Sequence, residues 1–453
     1  MTTGFRDLPS VDLVLSDGRI QRLVEQSSRP AVLELVRAQL EEARDAIGSG
    51  RRAATVEEVV SAVEARAATR WRAWPNAVIN ATGVILHTNL GRAPLSGAAL
   101  RAVERTAGGY SDLELDLETG KRGSRQAHIS QLICQATGAP AAIAVNNNAS
   151  AVLLGLAAIA AGKEVIVSRG EAVEIGGGFR IPDVLRQSGA KLIEVGSTNR
   201  TYVRDYEASI TDNTGALLSV HTSNFRVSGF THSPSLAELV KLGKDKGVPV
   251  LHDLGSGCLL DTAEFGLAHE PMPQESMEAG ASLAFFSGDK LLGGPQSGMI
   301  VGDEGLVASV SRHPLARAVR IDKLSMAALS ATLLHYIKDE ATVKIPIWRM
   351  IAESEDSVKS RASRWASSLG ERATLAGGLS TIGGGSLPGE VLPTTAVALD
   401  TGDAEGLAMR LRTGSPAVIG RIEDDRVLLD PRTVLPAQEE SLLRVVSQAL
   451  GKG

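Results

Sequence analysis

From Asn76 onwards, short apolar runs alternate with helical stretches, and this alternation limits the possible folds more than any other feature of the chain. The runs read AAIAV, EVIVS, KLIEV, ALLSVH, VPVLHD, ASLAFFS and SGMIV, and helical stretches such as 149–161 and PSLAELVKLGKDK lie between them. Runs of this kind are typical of strands buried on both faces. The pattern predicts an α/β fold with a mostly parallel central sheet covered by helices on both sides.

Changes in this pattern predict three domains. Residues 1–74 form a small helical domain, 75–330 the large α/β domain and 331–453 a smaller α+β domain. In the first domain, apolar residues recur at steps of three and four in PAVLELVRAQLEEARDAI, and a second stripe runs from Val56 to Trp71 and Trp74, ending at Pro75. The last domain contains LPTTAVALD and a predicted hairpin, PAVIGRI-EDD-RVLLD.

Composition excludes several classes of protein. Aromatic residues make up only 3% of the 453 residues, so a surface of base-stacking rings is not indicated. The 47 basic and 52 acidic residues give a net charge of -5, and residues 1–75 carry eleven of each, so charge alone does not indicate RNA binding. Two cysteines fit no metal spacing and suit a reducing compartment. With no signal peptide and no apolar run long enough for a membrane, a cytoplasmic protein is expected.

Polar residues directly after the predicted strands are the first candidates for a site, because ligands of such sheets bind at the carboxyl ends of the strands. These positions are 146–148, 221–224, Asp253 and 287–290. Lys290 lies in FSGDKLLGGPQSG, where a glycine-walled strand end would bury it and lower its pKa, as a Schiff-base lysine requires. Asp253 ends another strand, and Asn147 and Asn148 open a helix whose backbone amides can hold a phosphate.

Phosphate cradle, aspartate and lysine, in that order, are the three parts of a pyridoxal-phosphate site. Taken singly, each part has an ordinary alternative: a surface lysine, a turn or cap aspartate, and a plain helix start. The combination favours a pyridoxal-phosphate enzyme without settling its reaction. No Walker phosphate-binding loop is present, because GxxxxGK[ST] is absent.

Long motifs extend this interpretation over nearly the whole chain. They read NATGVILHTNLGRAPLS, VNNNASAVLL, VSRGEAVEIGGGFRIPDV, EVGSTNRT, VHTSNF, HDLGSG, FSGDKLLGGPQSGMIVG, HPLARAVRIDKL and PAVIGRIEDDR. In these motifs the chain resembles the bacterial selenocysteine synthases, the L-seryl-tRNA(Sec) selenium transferases. These are pyridoxal-phosphate enzymes of the aminotransferase-like fold type I.

The resemblance implies roles for individual residues. Lys290 matches the Schiff-base lysine, and Asp253 matches the aspartate at the pyridine nitrogen. Asn147, Asn148 and Ser287 lie in segments expected around the cofactor. The arginines expected to bind the selenium-donor anion are Arg92, Arg317 and Arg320. The last two are three residues apart, so on a helix they would share a face. No metal is expected.

The implied reaction is the conversion of seryl-tRNA(Sec) to selenocysteinyl-tRNA(Sec) with selenophosphate. It proceeds by β-elimination to aminoacrylyl-tRNA and addition of selenium, and Lys290 is the base for the α-proton. The N-terminal domain is expected to bind the tRNA. Fold type I sites usually form between subunits, so a homodimer is the minimum, and the bacterial family implies a decamer.

Other functions remain as alternatives. A pyridoxal-phosphate lyase or aminotransferase acting on a free amino acid would use the same lysine and aspartate, and a non-catalytic tRNA-binding protein would need neither. A hydrolase built on Ser256, His221 and Asp253 lacks a GxSxG motif, and a zinc enzyme lacks HExxH. The roles of His221, Arg125, Arg180 and Cys258 stay open.

Overall fold

The computed structural model describes residues 4–172, 174–175, 178–223, 225, 227 and 229–451. Contacts group the chain into two compact units that divide between Ala77 and Val78. The glycines at 176 and 177 and Asn224, which belong to motifs singled out in the sequence, lie outside the described residues.

Among its described residues, the first unit contains four α-helices, preceded by a short 3-10 helix at Gly4–Asp7. They are α1 (Val11–Leu15), α2 (Gly18–Gln26), α3 (Arg29–Gly48) and α4 (Val56–Arg70). The side chains of Ser28 and Thr55 cap the two long helices, which coincide with the two predicted apolar stripes. The sequence suggested that the second stripe continues to Trp71 and Trp74, but in the structure helix α4 ends at Arg70. The residue before a proline is disfavoured in a helix, so the helix does not extend to Trp74 before Pro75. Trp74 is 83% exposed.

Among the described residues, the second unit contains fifteen strands and fifteen α-helices, besides five short 3-10 helices. The strands are β1 (Val78–Asn80), β2 (Ala141–Val145), β3 (Glu164–Ser168), β4 (Glu174–Ile175), β5 (Phe179–Arg180), β6 (Lys191–Val195), β7 (Thr214–Val220), β8 (Val250–Gly255), β9 (Leu283–Ser287), β10 (Gly298–Gly302), β11 (Ala373–Thr381), β12 (Val391–Leu399), β13 (Ala417–Ile419), β14 (Arg421–Glu423) and β15 (Arg426–Leu429). The helices are α5 (Gly97–Ala107), α6 (Gln126–Thr137), α7 (Asn148–Ala160), α8 (Ile181–Gln187), α9 (Val203–Ser209), α10 (Leu236–Lys246), α11 (Pro273–Ala279), α12 (Glu304–Arg312), α13 (Leu315–Ala318), α14 (Lys323–Ile337), α15 (Ala341–Lys344), α16 (Pro346–Ala352), α17 (Glu355–Leu369), α18 (Ala404–Arg412) and α19 (Glu439–Ala449).

Seven strands form the central sheet in the order β2-β10-β9-β8-β7-β3-β6. All neighbours pair in parallel except β10, which is antiparallel to both β2 and β9. Apolar residues of α7 and α8 pack on one face, and those of α9 and α10 pack on the other. The predicted fold class, a mostly parallel sheet covered on both sides, is confirmed. The carboxyl ends of β7, β8 and β9 therefore lie side by side at one edge.

A second sheet forms beyond residue 370. Its four antiparallel strands have the order β11-β12-β15-β14. The predicted hairpin is shorter than the sequence suggested: β14 and β15 form it around Asp424 and Asp425, which both have positive φ. Its first predicted arm, β13, instead pairs in parallel with β1, because Gly420 separates β13 from β14.

The predicted boundary at residue 330 falls inside helix α14. The three-domain division stays a prediction. Over the described residues, no helix combines the length and the apolar character needed to cross a membrane.

Candidate active site

Lys290 lies in the turn between β9 and β10, and its side chain is almost fully buried at 8% exposure. Its Nζ lies 3.5 Å from the carbonyl oxygen of Gly385, a long hydrogen bond. A side chain at residue 385 would come within 3.2 Å of Nζ, so only glycine leaves this space free. Burial lowers the pKa of Lys290, and the nearby Arg92 adds to that effect. Both effects favour the neutral, nucleophilic form of the Lys290 amine.

Asp253 lies in β8, the strand beside β9, and is buried at 3% exposure. Its Oδ1 accepts a hydrogen bond of 2.9 Å from the side-chain amide of Asn148. Burial raises the pKa of Asp253, while the Asn148 hydrogen bond and Lys290 oppose that rise. Because burial outweighs these contacts, a cationic partner would suit this carboxylate. A protonated pyridine nitrogen is such a partner.

Helix α7 begins directly after β2 at the same edge of the sheet. Asn147 caps it, accepting a hydrogen bond of 2.8 Å from the amide of Ser150. The amides of Asn148 and Ala149 precede the first intrahelical hydrogen bond, which runs from Ala151 to Asn147. Such amides, at the positive end of a thirteen-residue helix, can hold a phosphate.

Ser287, Asp289 and Arg92 form a hydrogen-bonded chain beside Lys290. Ser287 Oγ donates to Asp289 Oδ1 at 3.0 Å, and Arg92 Nη1 pairs with Asp289 Oδ2 at 2.7 Å. Arg92 has φ +63, in the left-handed region that non-glycine residues seldom adopt. The sequence-predicted residues Lys290, Asp253, Asn148, Ser287 and Arg92 are therefore brought together in one site.

Arg317 and Arg320 lie elsewhere in the chain. They line a cavity of about 500 Å³ with Arg122, Arg125 and Glu114, whereas Arg92 lines a smaller one of about 180 Å³. The expectation that they share a helix face is wrong. Helix α13 ends at Ala318, and Arg320 instead forms an isolated β-bridge with Val145 at the end of β2.

One carboxylate, that of Glu114, pairs with three of these four arginines. Glu114 contacts Arg125 in a short ion pair, Arg122 at 3.0 Å and Arg320 at 3.6 Å. Arg317 has no ion-pair partner within the described part of the chain. The cavity therefore carries excess positive charge, which suits a small polyanion.

The structure also places the residues whose roles the sequence left open. His221 donates its backbone amide to the carbonyl of Asp253 at 2.8 Å, and Arg180 pairs with Glu174 at 2.7 Å. Cys258 is fully buried, and burial raises the pKa of its thiol strongly, which makes it a packing residue and not a nucleophile.

Glu270 is a site residue that the sequence analysis missed. It is buried at 2% exposure, and its Oε1 lies 3.8 Å from Nδ1 of His221. No strand-end position pointed to it, because it lies in a loop before α11. A charged residue inside the apolar and proline-rich LAHEPMP was the one available signal.

Comparison with solved structures defines the class of protein. The structure of D-glucosaminate-6-phosphate ammonia-lyase superimposes with a TM-score of 0.60 at 21% identity, covering 84% of this chain and 99% of that chain. This likeness shows the fold alone. The architecture is the aminotransferase-like fold type I, as the sequence predicted.

Comparison of sequences defines the family. The family of L-seryl-tRNA selenium transferases matches residues 78–435, and the selenocysteine synthase N-terminal family matches residues 5–44. The L-seryl-tRNA(Sec) selenium transferase of Carboxydothermus hydrogenoformans is 46% identical over 98% of this chain and 97% of its own. That of Geobacter metallireducens is 48% identical over 95% of this chain and 96% of its own. The chain belongs to the L-seryl-tRNA selenium transferase family.

Proposed function

We propose that this enzyme converts seryl-tRNA(Sec) to selenocysteinyl-tRNA(Sec), with pyridoxal 5'-phosphate as cofactor and selenophosphate as selenium donor. One observation carries the proposal beyond family membership. Lys290 and Asp253 are both buried at neighbouring strand ends, with the start of α7 beside them. A protein that only bound tRNA would need neither buried charge.

The residues of this site fit pyridoxal phosphate. Asp253 would face the ring nitrogen, the first amides of α7 and Ser287 would hold the phosphate, and Lys290 would carry the cofactor. Asn148 Oδ1, in the same amide that bonds Asp253, is buried and has no hydrogen-bond partner among the described residues, which leaves one acceptor unpaired. When bound, the cofactor supplies an electron sink that stabilises negative charge at the α-carbon of the seryl group.

Lys290 acts as the base and acid of the proposed reaction. Its Nζ takes the α-proton, the bond from the β-carbon to oxygen breaks, and the hydroxyl leaves as water. Selenium of selenophosphate then bonds to the β-carbon while a proton from the donor or from water returns through Lys290 to the α-carbon, and one water hydrolyses the phosphorus–selenium bond, which releases phosphate and leaves the selenol. The lowered pKa of Lys290 favours the neutral amine that must take the first proton.

Arginines hold the selenium donor in this proposal. Arg92 lies next to Lys290, and Arg317 and Arg320 line the cavity with excess positive charge. Planar guanidinium groups suit the oxygen atoms of selenophosphate. The proposed enzyme is a homo-oligomer, with a dimer as the minimum and a decamer as the expected form, because sites of fold type I enzymes usually form between subunits. The separate cavities of Arg92 and of Arg317 and Arg320 in one chain are compatible with that arrangement.

Residues 1–74 bind the tRNA in this proposal. Two observations support this role. Residues 5–44 match the selenocysteine synthase N-terminal family, and residues 1–74 belong to a separate compact unit.

The visible absorbance of the purified full-length protein tests the proposed function. The spectrum is recorded before and after addition of seryl-tRNA(Sec), with free L-serine in a parallel sample. We expect a band of bound pyridoxal phosphate that changes with the charged tRNA only. A change with free serine only would identify an enzyme of free amino acids. No band after addition of cofactor would indicate a tRNA-binding protein without catalysis.

A matched pair of lysine variants accompanies this measurement. Lys290→Ala should lose all turnover, whereas Lys241→Ala, on the exposed side of α10, should keep it. Full turnover in Lys290→Ala would contradict the proposed function.

A further inference from the structure

Near Lys290 lies a group of buried polar atoms that have no role in the proposed reaction as described above. His221 Nδ1, Ser256 Oγ, Glu270 Oε1 and Ser386 Oγ are all buried, and none has a hydrogen-bond partner within the described ranges. They come from four separate segments of the chain. Unpaired buried polar atoms are rare in folded proteins, and a cluster of them points to a functional site.

Glu270 is held firmly within this group. Its backbone amide donates a hydrogen bond of 2.9 Å to Thr262 Oγ1. The Ser256 side chain and the backbone amide of Leu387 face its carboxyl group, and His221 Nδ1 lies 3.8 Å from Oε1. The carboxylate is thus fixed in position while one of its oxygens stays uncommitted.

Two of the same segments make hydrogen bonds to Lys290 or to Asp253. Gly385, whose carbonyl accepts from Lys290 Nζ at 3.5 Å, lies two residues before Leu387. His221 is bonded through its backbone to Asp253 at 2.8 Å. Glu270 therefore belongs to the surroundings of Lys290 Nζ, and its charge acts on that amine.

Three carboxylates act on Lys290, and they differ in how far their oxygens are already paired. Arg92 repels its ammonium form, and Asp253, Asp289 and Glu270 attract it. Asp289 is already paired with Arg92 at 2.7 Å, and Asp253 with Asn148 at 2.9 Å. Glu270 is the carboxylate of the three with a buried oxygen, Oε1, that has no hydrogen-bond partner among the described residues.

We propose that Glu270, with His221 beside it, is a positioning residue that stabilises the protonated form of Lys290. This inference rests on the proposed function. After Lys290 Nζ takes the α-proton it is an ammonium, which must survive long enough to protonate the departing β-hydroxyl. The proton then leaves on the oxygen as water, and Lys290 returns to the neutral amine.

The electrostatics of the pair agree with this role. Burial raises the pKa of Glu270, while His221, Ser256, the Leu387 amide and Lys290 lower it and favour the carboxylate. Cys258 also lies near, but its thiol is neutral because burial raises its pKa. Removal of the Glu270 charge should therefore lower the pKa of Lys290.

Labelling of Lys290 in the full-length, cofactor-free protein tests this directly. The rate of its acetylation by acetic anhydride is followed against pH by mass spectrometry, in the wild type and in Glu270→Gln. We expect the midpoint to move at least half a pH unit lower in Glu270→Gln. An unchanged midpoint would overturn the inference. Because no substrate or cofactor takes part, this outcome is independent of whether the proposed function holds.

Two further variants guard against a purely structural effect. Glu275→Gln removes a partly exposed carboxylate at the start of α11 and should leave the Lys290 midpoint in place. Glu270→Asp keeps the charge and should restore more than half of the shift. Should Glu270→Gln fail to fold, Glu270→Ala also removes the charge and takes its place in the comparison. A midpoint in Glu270→Asp equal to that of Glu270→Gln would contradict the proposal.

In the cofactor-loaded enzyme, Glu270→Gln should lower kcat about tenfold and change KM for seryl-tRNA(Sec) less than twofold. A rise in KM with kcat unchanged would assign Glu270 to substrate binding and overturn its positioning role.

Discussion

The side-chain amide of Asn148 donates a 2.9 Å hydrogen bond to Oδ1 of Asp253, and this bond ties the first turn of α7 to β8. The two residues are 105 positions apart in the chain. The helix start offers amides to a phosphate, and the carboxylate suits a ring nitrogen. One hydrogen bond therefore fixes the distance between the two ends of a pyridoxal-phosphate site.

Asn148→Ala should weaken cofactor binding. The variant loses a hydrogen bond to a buried carboxylate, and bonds to charged groups contribute about 1.5–3 kcal/mol. We expect the Kd for pyridoxal phosphate to rise roughly 10-fold or more, measured by titrating cofactor-free protein and following visible absorbance. Asn213→Ala, an exposed amide before β7, serves as the control. Equal affinities in both variants would disprove the role of Asn148.

Arg92→Ala should damage selenium addition more than the loss of water from the seryl group. Its Nη1 pairs with Asp289 at the rim of the site, and the positive charge suits the selenophosphate anion. We expect consumption of seryl-tRNA(Sec) to continue, with pyruvate formed by hydrolysis in place of selenocysteinyl-tRNA. Because Arg92 has φ +63, Arg92→Gly should give the same split without backbone strain. Equal loss of both steps would argue against an anion site.

Arg317→Ala should raise KM for selenophosphate about tenfold and leave the melting temperature unchanged. Arg317 is exposed and contributes charge to the cavity around Glu114, but it forms no ion pair within the described residues. Arg312→Ala, an exposed arginine in the last turn of α12, is the matched control. The same KM in both variants would remove Arg317 from the donor site.

A chain that begins at Val78 should keep cofactor binding and lose tRNA binding. Residues 78–453 form a compact unit with its own core, so the truncated chain is expected to fold. The Kd for tRNA(Sec) should rise more than tenfold, measured by filter binding at one salt concentration, since such affinities depend steeply on salt. Unchanged tRNA affinity would refute the role of the N-terminal helices.

The strands of the central sheet were predictable because each is an apolar run bounded by turns or helices. Pairings between distant segments were not. Strand β10 runs against β2 and β9, and β1 pairs with β13 some 340 residues later, although no local pattern marks either partner. Such pairings depend on tertiary packing, which a periodicity in sequence does not record.

The same distinction applies to the site. Lys290 and Asp253 were predictable because the carboxyl ends of parallel strands share one edge. Glu270 was not, because the groups that face its carboxyl belong to residues 256 and 387, which are distant in sequence. Arg320 was placed on a helix face by its spacing from Arg317, but its backbone pairs with Val145 instead.

Glu171 gives a prediction about stability and pH. It is buried after β3, its Oε2 accepts a hydrogen bond of 2.8 Å from the amide of Val220, and burial raises the pKa of its carboxyl to about 8. Between the usual carboxyl range and pH 8, the folded protein keeps a proton that the unfolded chain gives up. Stability must therefore fall as pH rises through this window, and the loss is complete above pH 8.

Glu171→Gln removes this titration while keeping an oxygen that can accept from Val220. The variant should melt close to the wild type at pH 5 and roughly 2–5 °C higher at pH 9, measured by differential scanning fluorimetry. Glu264→Gln, an exposed carboxylate, should show no such divergence between the two pH values. A difference in melting temperature that stays constant from pH 5 to pH 9 would mean that Glu171 is ionised in the folded protein throughout.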